Sequence, residues 1–533
     1  MTVKAIRLEN FMAFKDTGWI ELRPITLLFG RNSSGKSVVI RALRLLKQSL
    51  DYGTEKEPLA FVVDEGVDLE NFKTTVHRQE LKSIITFRFR CDLVQDINEE
   101  LIRTSNPIDA LRNRINQQLL QARREPIPID DTPTILDLSV SFAWDQRGEE
   151  KVPRVVPVAV QIDCPWEILK EQEQETIFAA ERVFEDLASE EEKQIERDEQ
   201  QESWTWSEEW FPWSEFLKQH EINDDDLHWS SVSIEYENGF LPRLVDLSGK
   251  TPRDDPDSTT DFGLVNNLLG AFRERIELFL RSIEYFGPIR PEPRRIYSLD
   301  QFEKRRWHSL GLDAFIRFLS EDVDDEEREE INRWVNHVII GVAAKATKYY
   351  SGDLGLMAQI YIDEGNSNFD PNLIDVGFGA SQAFPIIVQS VLAKPGSLVI
   401  IEQPELHLHP GAQARLADMF IESALSKKPV FLLETHSEHL LLRVQTRIAE
   451  TENQVPGHLL KLKRDDAKIY FMYRKKGCRC SSIDELPIQK TGYLDLSKAP
   501  PEYDDFFADN LLESLALSKA AHHLEEGEDG PDN

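Results

Sequence analysis

The chain has 533 residues, of which 41% are hydrophobic and 29% are charged. This apolar fraction supports packed cores and excludes a disordered chain, and the length predicts two or more domains or one domain with large insertions. The formal net charge of −33 argues against an anionic membrane partner, and it requires any nucleic acid to be contacted through local basic patches.

The first predicted elements are three strands, at residues 3–8, 19–22 and 25–29, and the third of them runs into a glycine-rich loop. A helix with an apolar face follows at residues 38–50. Further strands are predicted at residues 83–91, 136–144 and 155–162. We interpret residues 1–165 as one lobe with an antiparallel sheet attached.

The loop has the pattern Gly-x-x-x-x-Gly-Lys-Ser, in which glycines allow backbone amides to face an anion. A lysine in this pattern reaches the β- and γ-phosphates, and the serine hydroxyl lies where Mg²⁺ is held. The strand before and the helix after it are the context that a working loop requires. The sequence therefore predicts an ATP and Mg²⁺ site that includes Gly30, Arg31, Asn32, Ser33, Ser34, Gly35, Lys36 and Ser37.

Composition changes after residue 165. Residues 168–202 are rich in charge and are predicted to be helical, with the charges on a solvated face. Five tryptophans then fall close together among acidic residues: Trp204, Trp206, Trp210, Trp213 and Trp229. They form either the small core of an inserted subdomain or an exposed patch for a protein partner.

A helix is predicted at residues 264–283, and a proline-rich segment at 285–295 is expected to be extended. The arginines of this segment, with Lys304, Arg305 and Arg306, form a basic concentration. They either pair with the protein's own acidic residues or contact a polyanion. Two more helices are predicted at residues 312–319 and 326–339.

Three further motifs follow in the second half of the chain. The apolar strand at 398–401 delivers Glu402 to its carboxyl end, where an acid supports Mg²⁺. The strand at 430–433 is followed by His436. Taken alone, such a histidine is more often structural, but in this order of motifs it is placed to sense a γ-phosphate. Upstream, the glycine-rich residues 377–382 precede a helix and form either an anion-binding turn or an ordinary cap at Ser381. The order of the motifs favours the anion-binding turn.

In this order the motifs resemble those of ABC-type ATPases of the SMC/RecF/OLD group. Residues 8–14 are similar to that group's first strand and turn. Residues 377–382, 402–410 and 434–439 resemble AAA ATPases with a short C-terminal domain of unknown function, found in bacterial anti-phage systems, and residues 484–492 and 504–507 are similar to that domain. The resemblance covers residues 1–95 and 264–515 and leaves out the tryptophan-rich insertion.

The resemblance implies an α/β P-loop NTPase head of the ABC/SMC type. Its mixed sheet has flanking helices, an attached antiparallel sheet and an inserted helical or irregular acidic subdomain. The expected domains are an N-terminal ATPase lobe (1–165), the acidic insertion (166–262), a C-terminal ATPase lobe (263–455) and a small C-terminal domain with an acidic tail (456–533).

The resemblance also implies a head-to-tail homodimer or higher oligomer with ATP between two chains. Gly379 and Ser381 are then expected to contact the γ-phosphate bound to the other chain. His436 is expected to be the switch histidine. Lys36, Ser37 and Glu402 act on the nucleotide of their own chain, and Ser37 and Glu402 hold the metal.

One residue departs from the ABC pattern, because Gln403 stands where a glutamate usually activates water. An amide orients water but does not accept its proton. Either hydrolysis is slow and bound ATP acts as a dimer clamp, or Glu405 serves as the base. His407 and His409 beside Glu405 suggest either a metal site or, as the resemblance implies, a structural turn; the turn is the favoured interpretation.

After His439 fewer than 100 residues remain, too few for the nuclease domain of OLD-type proteins. The favoured hypothesis is a regulator or scaffold for a separate effector, nuclease-like or toxin-like and encoded nearby. The alternative is a DNA repair or maintenance ATPase that binds DNA through basic residues at 112–124, 290–306 and 461–464. A transporter subunit lacks support, because the amino-terminal pattern is that of SMC-type heads.

Cysteine usage and targeting signals predict the compartment. Cys91, Cys164, Cys478 and Cys480 lack the spacing of a zinc ribbon or a disulfide framework. We find no signal peptide and no apolar run long enough to span a bilayer. The sequence therefore predicts a cytoplasmic protein with no membrane contact.

Overall fold

The computed structural model describes residues 2–54, 57–64, 66–93, 135–145, 154–164, 175–182, 204–206, 232–237, 240–246, 261–299, 312–339, 343–351, 355–363, 370–457, 460–475 and 480–503. Strands β1 to β19 are, in chain order, Val3–Phe11, Phe14–Asp16, Ile20–Glu21, Ile25–Gly30, Ile85–Asp92, Ile135–Asp145, Arg154–Cys164, Glu175–Arg182, Trp204–Trp206, Val232–Glu237, Leu241–Asp246, Ile283–Phe286, Tyr297–Ser298, Ala343–Tyr350, Leu356–Asp363, Leu398–Glu402, Val430–Glu434, Ala467–Arg474 and Ser481–Glu485. Helices α1 to α8 are Lys36–Tyr52, Phe72–Thr75, Asp261–Arg281, Leu312–Leu319, Asp325–Ile339, Phe378–Val391, Pro410–Ser426 and Glu438–Glu452.

The chain divides into two compact units that interleave along the sequence. The first consists of residues 1–22, 38–284 and 395–398, and the second of residues 23–37, 285–394 and 399–533. The phosphate-binding loop therefore belongs to the same unit as the three later motifs. The four-domain division expected from the sequence stays a prediction.

An antiparallel sheet dominates the first unit, in the order β2-β1-β5-β6-β7-β8-β9, with β3 also paired to β1. The sequence of strand β5 explains why this sheet forms. Phe87 and Phe89 are buried, and Arg88 and Arg90 alternate with them and form ion pairs with acidic residues of neighbouring strands. Such alternation is typical of an antiparallel strand with two different faces. The strands predicted in this region are confirmed, with ends shifted by one to three residues.

The helix predicted at residues 168–202 is wrong where the structure describes it. Residues 175–182 form strand β8, which pairs antiparallel with β7 and places Phe178 opposite Ile162. The run Thr176-Ile177-Phe178 is β-branched and aromatic, and residues of these types pack well on a pleated surface, whereas the surrounding charges mimic a solvated helix. The other described parts of 166–262 are also mainly strands, β9 to β11, so the expected helical or irregular insertion is corrected there.

The structure describes two of the five clustered tryptophans. Trp204 and Trp206 lie on β9. Trp210, Trp213 and Trp229 lie outside the described residues, as do the remaining residues of the predicted helix. Both interpretations of the cluster therefore stay open.

The second unit has a mixed sheet in which β4 lies between β17 and β18 and runs parallel to both. β16 lies next to β17, and β19 pairs antiparallel with β18. Strands β4, β16 and β17 are buried at every position, as continuous apolar runs in a covered parallel sheet usually are. The predicted α/β class is confirmed.

Helices α4 to α8 and a small sheet, β13-β15-β14, complete the second unit. Its core includes a row of aromatic rings in which Phe315 stacks on Tyr297 and on Phe384, each at a centroid distance of 5.9 Å. None of the helices in the described ranges has both the length and the apolar character needed to cross a membrane.

Candidate nucleotide-binding site

The phosphate-binding loop begins where β4 ends, and packing explains its first glycine. Gly30 has a φ of 145°, and a Cβ at this position would overlap the carbonyl oxygen of Met472 on the neighbouring strand β18. A glycine is therefore needed for the sheet to close beside the loop. Ser34 Oγ is buried within the loop and meets no hydrogen-bond partner among the described residues.

Lys36 lies inside the loop that precedes it. Its Nζ donates hydrogen bonds of 2.9 Å to the carbonyl oxygens of Gly30 and of Arg31, and the residue is only 3% exposed. Burial lowers the pKa of Lys36, and the negative charges of Glu434 and Glu405 act in the opposite direction. A buried cation surrounded by backbone is a preorganised partner for phosphate oxygens.

Ser37, at the start of α1, donates a hydrogen bond of 2.9 Å from its hydroxyl to Oε2 of Glu434. Glu434 ends strand β17 and is buried. Burial first, and then the negative charge of Glu402, raise the pKa of Glu434 to about 7. Glu434 was not predicted as a site residue, although it follows the rule that identified Glu402: an acid at the end of a buried strand.

Glu402 ends the adjacent strand β16 and is held by two residues that we also missed. The hydroxyl of Tyr285 donates a 2.7 Å hydrogen bond to Oε1 of Glu402. Nη2 of Arg290 donates to the backbone carbonyl oxygens of Glu402 and Gln403, at 2.9 and 3.0 Å. The proline-rich pattern indicated an extended segment here and gave no sign of these contacts.

The residues present fit a magnesium ion. Mg²⁺ prefers oxygen ligands and usually takes one or two carboxylates together with substrate phosphates. Ser37, Glu402 and Glu434 supply such oxygens, and the raised pKa of Glu434 marks a buried negative charge that a cation would offset. Across the described residues, no three His, Cys, Asp or Glu side chains form a group suited to a metal cage.

Gln403 has an unusual backbone for a residue with a side chain. Its φ is 48°, in the left-handed region, and its backbone N–H donates a 2.6 Å hydrogen bond to the carbonyl oxygen of Glu434. The residue is partly exposed beside two buried carboxylates. Strand β16 thus ends at Glu402, and a turn follows it.

Glu405 is tied to the end of β17 and the turn that follows. Its Oε1 accepts a 2.7 Å hydrogen bond from the backbone N–H of His436, and its Oε2 accepts a 2.9 Å bond from the Thr435 hydroxyl. Burial is the main influence on the pKa of Glu405 and raises it. Both carboxylate oxygens are therefore engaged in holding the turn that carries His436.

His436 lies between strand β17 and helix α8 and is partly buried. Burial first, and then the positive charge of Lys36, lower the pKa of His436 to about 4. The imidazole is therefore neutral at physiological pH. A neutral imidazole keeps one nitrogen as a donor and one as an acceptor.

The predicted signature segment forms the first turn of α6. Gly379 lies so close to residue 407 that a Cβ would stand 2.7 Å from the His407 carbonyl oxygen. Ser381 is 4% exposed, and its hydroxyl donates a 2.9 Å hydrogen bond to the carbonyl oxygen of Phe378. Phe378 itself is 50% exposed and places its ring edge-to-face with the His407 imidazole, at 4.6 Å.

His409 has a structural role in this segment. It caps helix α7, with Nδ1 accepting a 3.2 Å hydrogen bond from the backbone N–H of Ala412. The histidine pair at 407 and 409 is therefore accounted for by a ring contact and a helix cap. This supports the structural-turn interpretation.

Two of the three described arginines at residues 290–295 make contacts within the protein. Arg290 is buried, and Arg295 forms a two-pronged ion pair with Asp375 at 2.6 and 2.7 Å. These observations support pairing within the protein, and they correct Arg290 as a surface contact for DNA. Residues 112–124 and Lys304 to Arg306 lie outside the described residues.

Two family models match the chain. The model described as "AAA domain, putative AbiEii toxin, Type IV TA system" matches residues 166–443, and the model described as "AAA ATPase domain" matches residues 1–203. The first match covers more than half of the chain. The chain belongs to this AAA domain family. It is thus a P-loop NTPase, as the phosphate-binding loop and the order of the motifs predicted.

Three solved structures of SMC heads are similar to this AAA domain, each at 11% identity. An SMC head bound to the C-winged helix domain of ScpA has a TM-score of 0.37 and covers 92% of this chain and 99% of its own. The SMC head domain from Thermotoga maritima has a TM-score of 0.34 and covers 92% of this chain and 100% of its own. A Pyrococcus furiosus Smc head with an extended coiled coil, bound to the C-terminal domain of ScpA, has a TM-score of 0.36 and covers 91% of this chain and 96% of its own. These scores are too low to transfer a function. No curated protein matches the chain.

Proposed function

We propose that this AAA domain binds and slowly hydrolyses ATP with Mg²⁺, dimerises around the nucleotide, and thereby regulates or scaffolds a separate effector in anti-phage defence. The observation that carries the proposal is the linked set of Lys36, Ser37, Glu434 and Glu402 at the loop. Lys36 binds the β- and γ-phosphates. Ser37 and Glu402 hold Mg²⁺, and Glu434 supports them.

Slow hydrolysis is supported by the residues around the position of the attacking water. Gln403 orients water without accepting its proton, and Glu405 is engaged by Thr435 and His436. His436, fixed by Glu405, is the neutral group that senses the γ-phosphate.

Dimerisation is supported by the start of helix α6. Phe378 is half exposed there, and Gly379 lies against the segment that follows Glu402 and Gln403. The Ser381 hydroxyl bonds within its own helix, so we assign the contact with the other chain's nucleotide first to the backbone at Gly379, with Ser381 shaping that turn.

The effector role is supported by the strongly acidic composition and by the family description, which names a toxin of a toxin–antitoxin system. The alternative is a repair or maintenance ATPase that acts on DNA. Lys461, Lys463 and Arg464 are exposed and form the basic stretch at 461–464 within the described residues. A cytoplasmic location fits both functions.

The test begins with nucleotide binding. We expect wild-type protein to bind a fluorescent ATP analogue with Mg²⁺, and Lys36→Ala to lose about 10- to 100-fold in affinity, because charge-assisted hydrogen bonds to phosphate are lost. Sedimentation with and without ATP reports the dimer. Equal affinity of the two proteins contradicts the nucleotide site.

The two candidate roles are separated by their partners. Co-purification with the product of the neighbouring gene, in the presence of DNase, supports the effector role. An ATP-dependent, salt-sensitive shift of DNA, lost when Lys461, Lys463 and Arg464 are replaced by Gln, supports the DNA role instead.

A further inference from the structure

Arg290 lies in an unusual place for an arginine. It belongs to the proline-rich segment at residues 287–293, and it is 4% exposed, whereas its neighbour Ile289 is 89% exposed. The chain thus buries a guanidinium and leaves an isoleucine in solvent. This is the unfavourable choice for stability alone, since burying a charge costs more than burying an aliphatic side chain gains.

The hydrogen bonds that the Arg290 side chain makes with described residues all go to one short segment. Its Nη2 bridges the carbonyl oxygens of Glu402 and Gln403, at 2.9 and 3.0 Å. Nε and Nη1 are buried and meet no acceptor in the part of the chain that the structure describes. Burial lowers the pKa of Arg290 to about 10, opposed by Glu405, so the side chain stays charged at neutral pH.

The segment held by Arg290 is strained. Gln403 has a φ of 48°, and a left-handed conformation costs a residue with a side chain roughly 1 kcal/mol or more. Two contacts hold this turn: the 2.6 Å bond from Gln403 N–H to the Glu434 carbonyl oxygen, and the bridge from Arg290. Strain of this kind persists where the surroundings over-determine it, and it concentrates at functional sites.

A second residue of the same segment acts on the Glu402 side chain. The Tyr285 hydroxyl donates to Oε1 of Glu402, at 2.7 Å. Tyr285 therefore fixes the carboxylate, and Arg290 fixes the peptide that follows it. The segment at residues 285–290 holds both functional groups at the end of β16.

We propose that Arg290 is a positioning residue for ATP hydrolysis, fixing the Glu402–Gln403 turn so that the carboxylate and the amide meet Mg²⁺ and water in one geometry. Tyr285 is its companion on the carboxylate. The inference rests on the proposed function. It assigns Arg290 to the hydrolysis step and gives it no part in holding the nucleotide.

The experiment compares Arg290→Met and Arg290→Lys with wild type in three measurements. Single-turnover hydrolysis with excess enzyme is expected to fall about 10- to 100-fold in Arg290→Met, because small misplacements of reacting groups cost this much. The affinity for the fluorescent ATP analogue is expected to change less than about 3-fold, since phosphate contacts lie elsewhere. Amide hydrogen exchange is expected to accelerate at residues 402–406.

Arg290→Lys keeps a charged donor and is expected to give an intermediate hydrolysis rate, and it keeps the test decisive if Arg290→Met fails to fold. Arg294→Met is the matched control: it removes an exposed arginine from the same segment, and wild-type rate and exchange are expected. Tyr285→Phe is expected to slow hydrolysis without accelerating exchange at Gln403.

Three outcomes overturn the positioning role. The first is wild-type hydrolysis and exchange in Arg290→Met. The second is a loss of ATP affinity by the same factor as the rate, which indicates general damage. The third is wild-type protein that binds ATP but never hydrolyses it. This result contradicts a role in hydrolysis and leaves the proposed ATP-binding site standing. Wild-type protein that binds no ATP contradicts the proposed function itself, and this result is visible before any variant is compared.

Discussion

The Ser37 hydroxyl donates a 2.9 Å hydrogen bond to the Glu434 carboxylate across 397 positions of sequence. The bond joins the phosphate-binding loop to the end of β17, because β4 and β17 are parallel neighbours and their carboxyl ends lie at one edge of the sheet. Under the proposed function, the metal side of the site therefore has a second carboxylate, Glu434, besides the Glu402 that the sequence indicated.

The first prediction concerns the residue that activates water. We expect Gln403→Glu to raise steady-state phosphate release by about 10-fold or more, because a carboxylate then accepts the proton that an amide does not. Glu405→Gln is expected to lower it, since the hydrogen bonds that fix Thr435 and His436 are weakened.

Phosphate release with saturating ATP measures both variants of the first prediction. The control is Glu438→Gln, which replaces an acid at the start of α8, outside the assigned site. If wild type releases phosphate fast and Glu405→Gln releases it at the same rate, two hypotheses are contradicted. These are that hydrolysis is slow so that bound ATP holds the dimer together, and that Glu405 is the base.

The second prediction concerns pH and Glu434. Its pKa is about 7 in the folded protein, against an ordinary value of 4.5. The folded state therefore binds more protons than the unfolded state between these values, so the stability that Glu434 contributes is lost as the pH rises from about 4.5 to 7. Glu434→Gln removes this loss.

We expect nucleotide-free Glu434→Gln to melt about 2 to 4 °C above wild type at pH 8 and near wild type at pH 5. Thermal melts between pH 5 and pH 8 measure the difference in melting temperature between the two proteins. His436 is present in both proteins, so its own titration does not contribute to this difference. With Mg²⁺ and ATP the order is expected to reverse at pH 8, because wild type then gains the metal contact. A variant that is less stable than wild type at pH 8 without nucleotide contradicts the assignment.

A third prediction separates dimerisation from nucleotide binding. Gly379→Ala introduces a Cβ 2.7 Å from the His407 carbonyl oxygen and is expected to displace the start of α6. The variant should bind the fluorescent ATP analogue as wild type does, and it should lose the ATP-dependent dimer in sedimentation.

Gly377→Ala is the matched control for Gly379→Ala, since a Cβ there meets nothing within 4 Å. It is expected to dimerise normally. If Gly379→Ala dimerises as well as Gly377→Ala, then α6 does not form part of the interface.

The fourth prediction concerns the loop's first residue. Gly30→Ala places a Cβ on the Met472 carbonyl and is expected to cost more than about 3 kcal/mol of unfolding free energy, because neighbouring parallel strands have to separate. Gly457→Ala is its control. That glycine also has a positive φ, 90°, but an added Cβ meets nothing within 4 Å, so the cost should stay at about 1 to 2 kcal/mol. Urea denaturation of both variants measures the difference, and equal costs contradict the role of the Met472 contact.

In the second unit the sequence predicted β4, β16, β17 and helices α4 to α6, because apolar patterns and glycine-rich turns are local signals. It gave no prediction for helices α7 and α8 or for the small sheet β13-β15-β14. It was wrong at residues 175–182, where charged residues around a short β-branched run imitated a helix. The pairing of β8 with β7 decided that segment, and strand pairing depends on a partner that is distant from the local pattern.

The sequence by itself determined the chemistry of the loop. Lys36 and Ser37 follow a strand and begin a helix, and this spacing alone predicts a phosphate-binding loop. Only the tertiary structure placed Glu434 on Ser37, engaged Glu405 with His436 and buried Arg290 under the Gln403 turn. The physical reason is that a motif records local backbone geometry, whereas hydrogen-bond partners and shifted pKa values arise from burial and from residues 31 to 397 positions away. For this AAA domain, the motif identified the phosphate-binding loop, and packing determined which other residues lie around the loop in the candidate nucleotide-binding site.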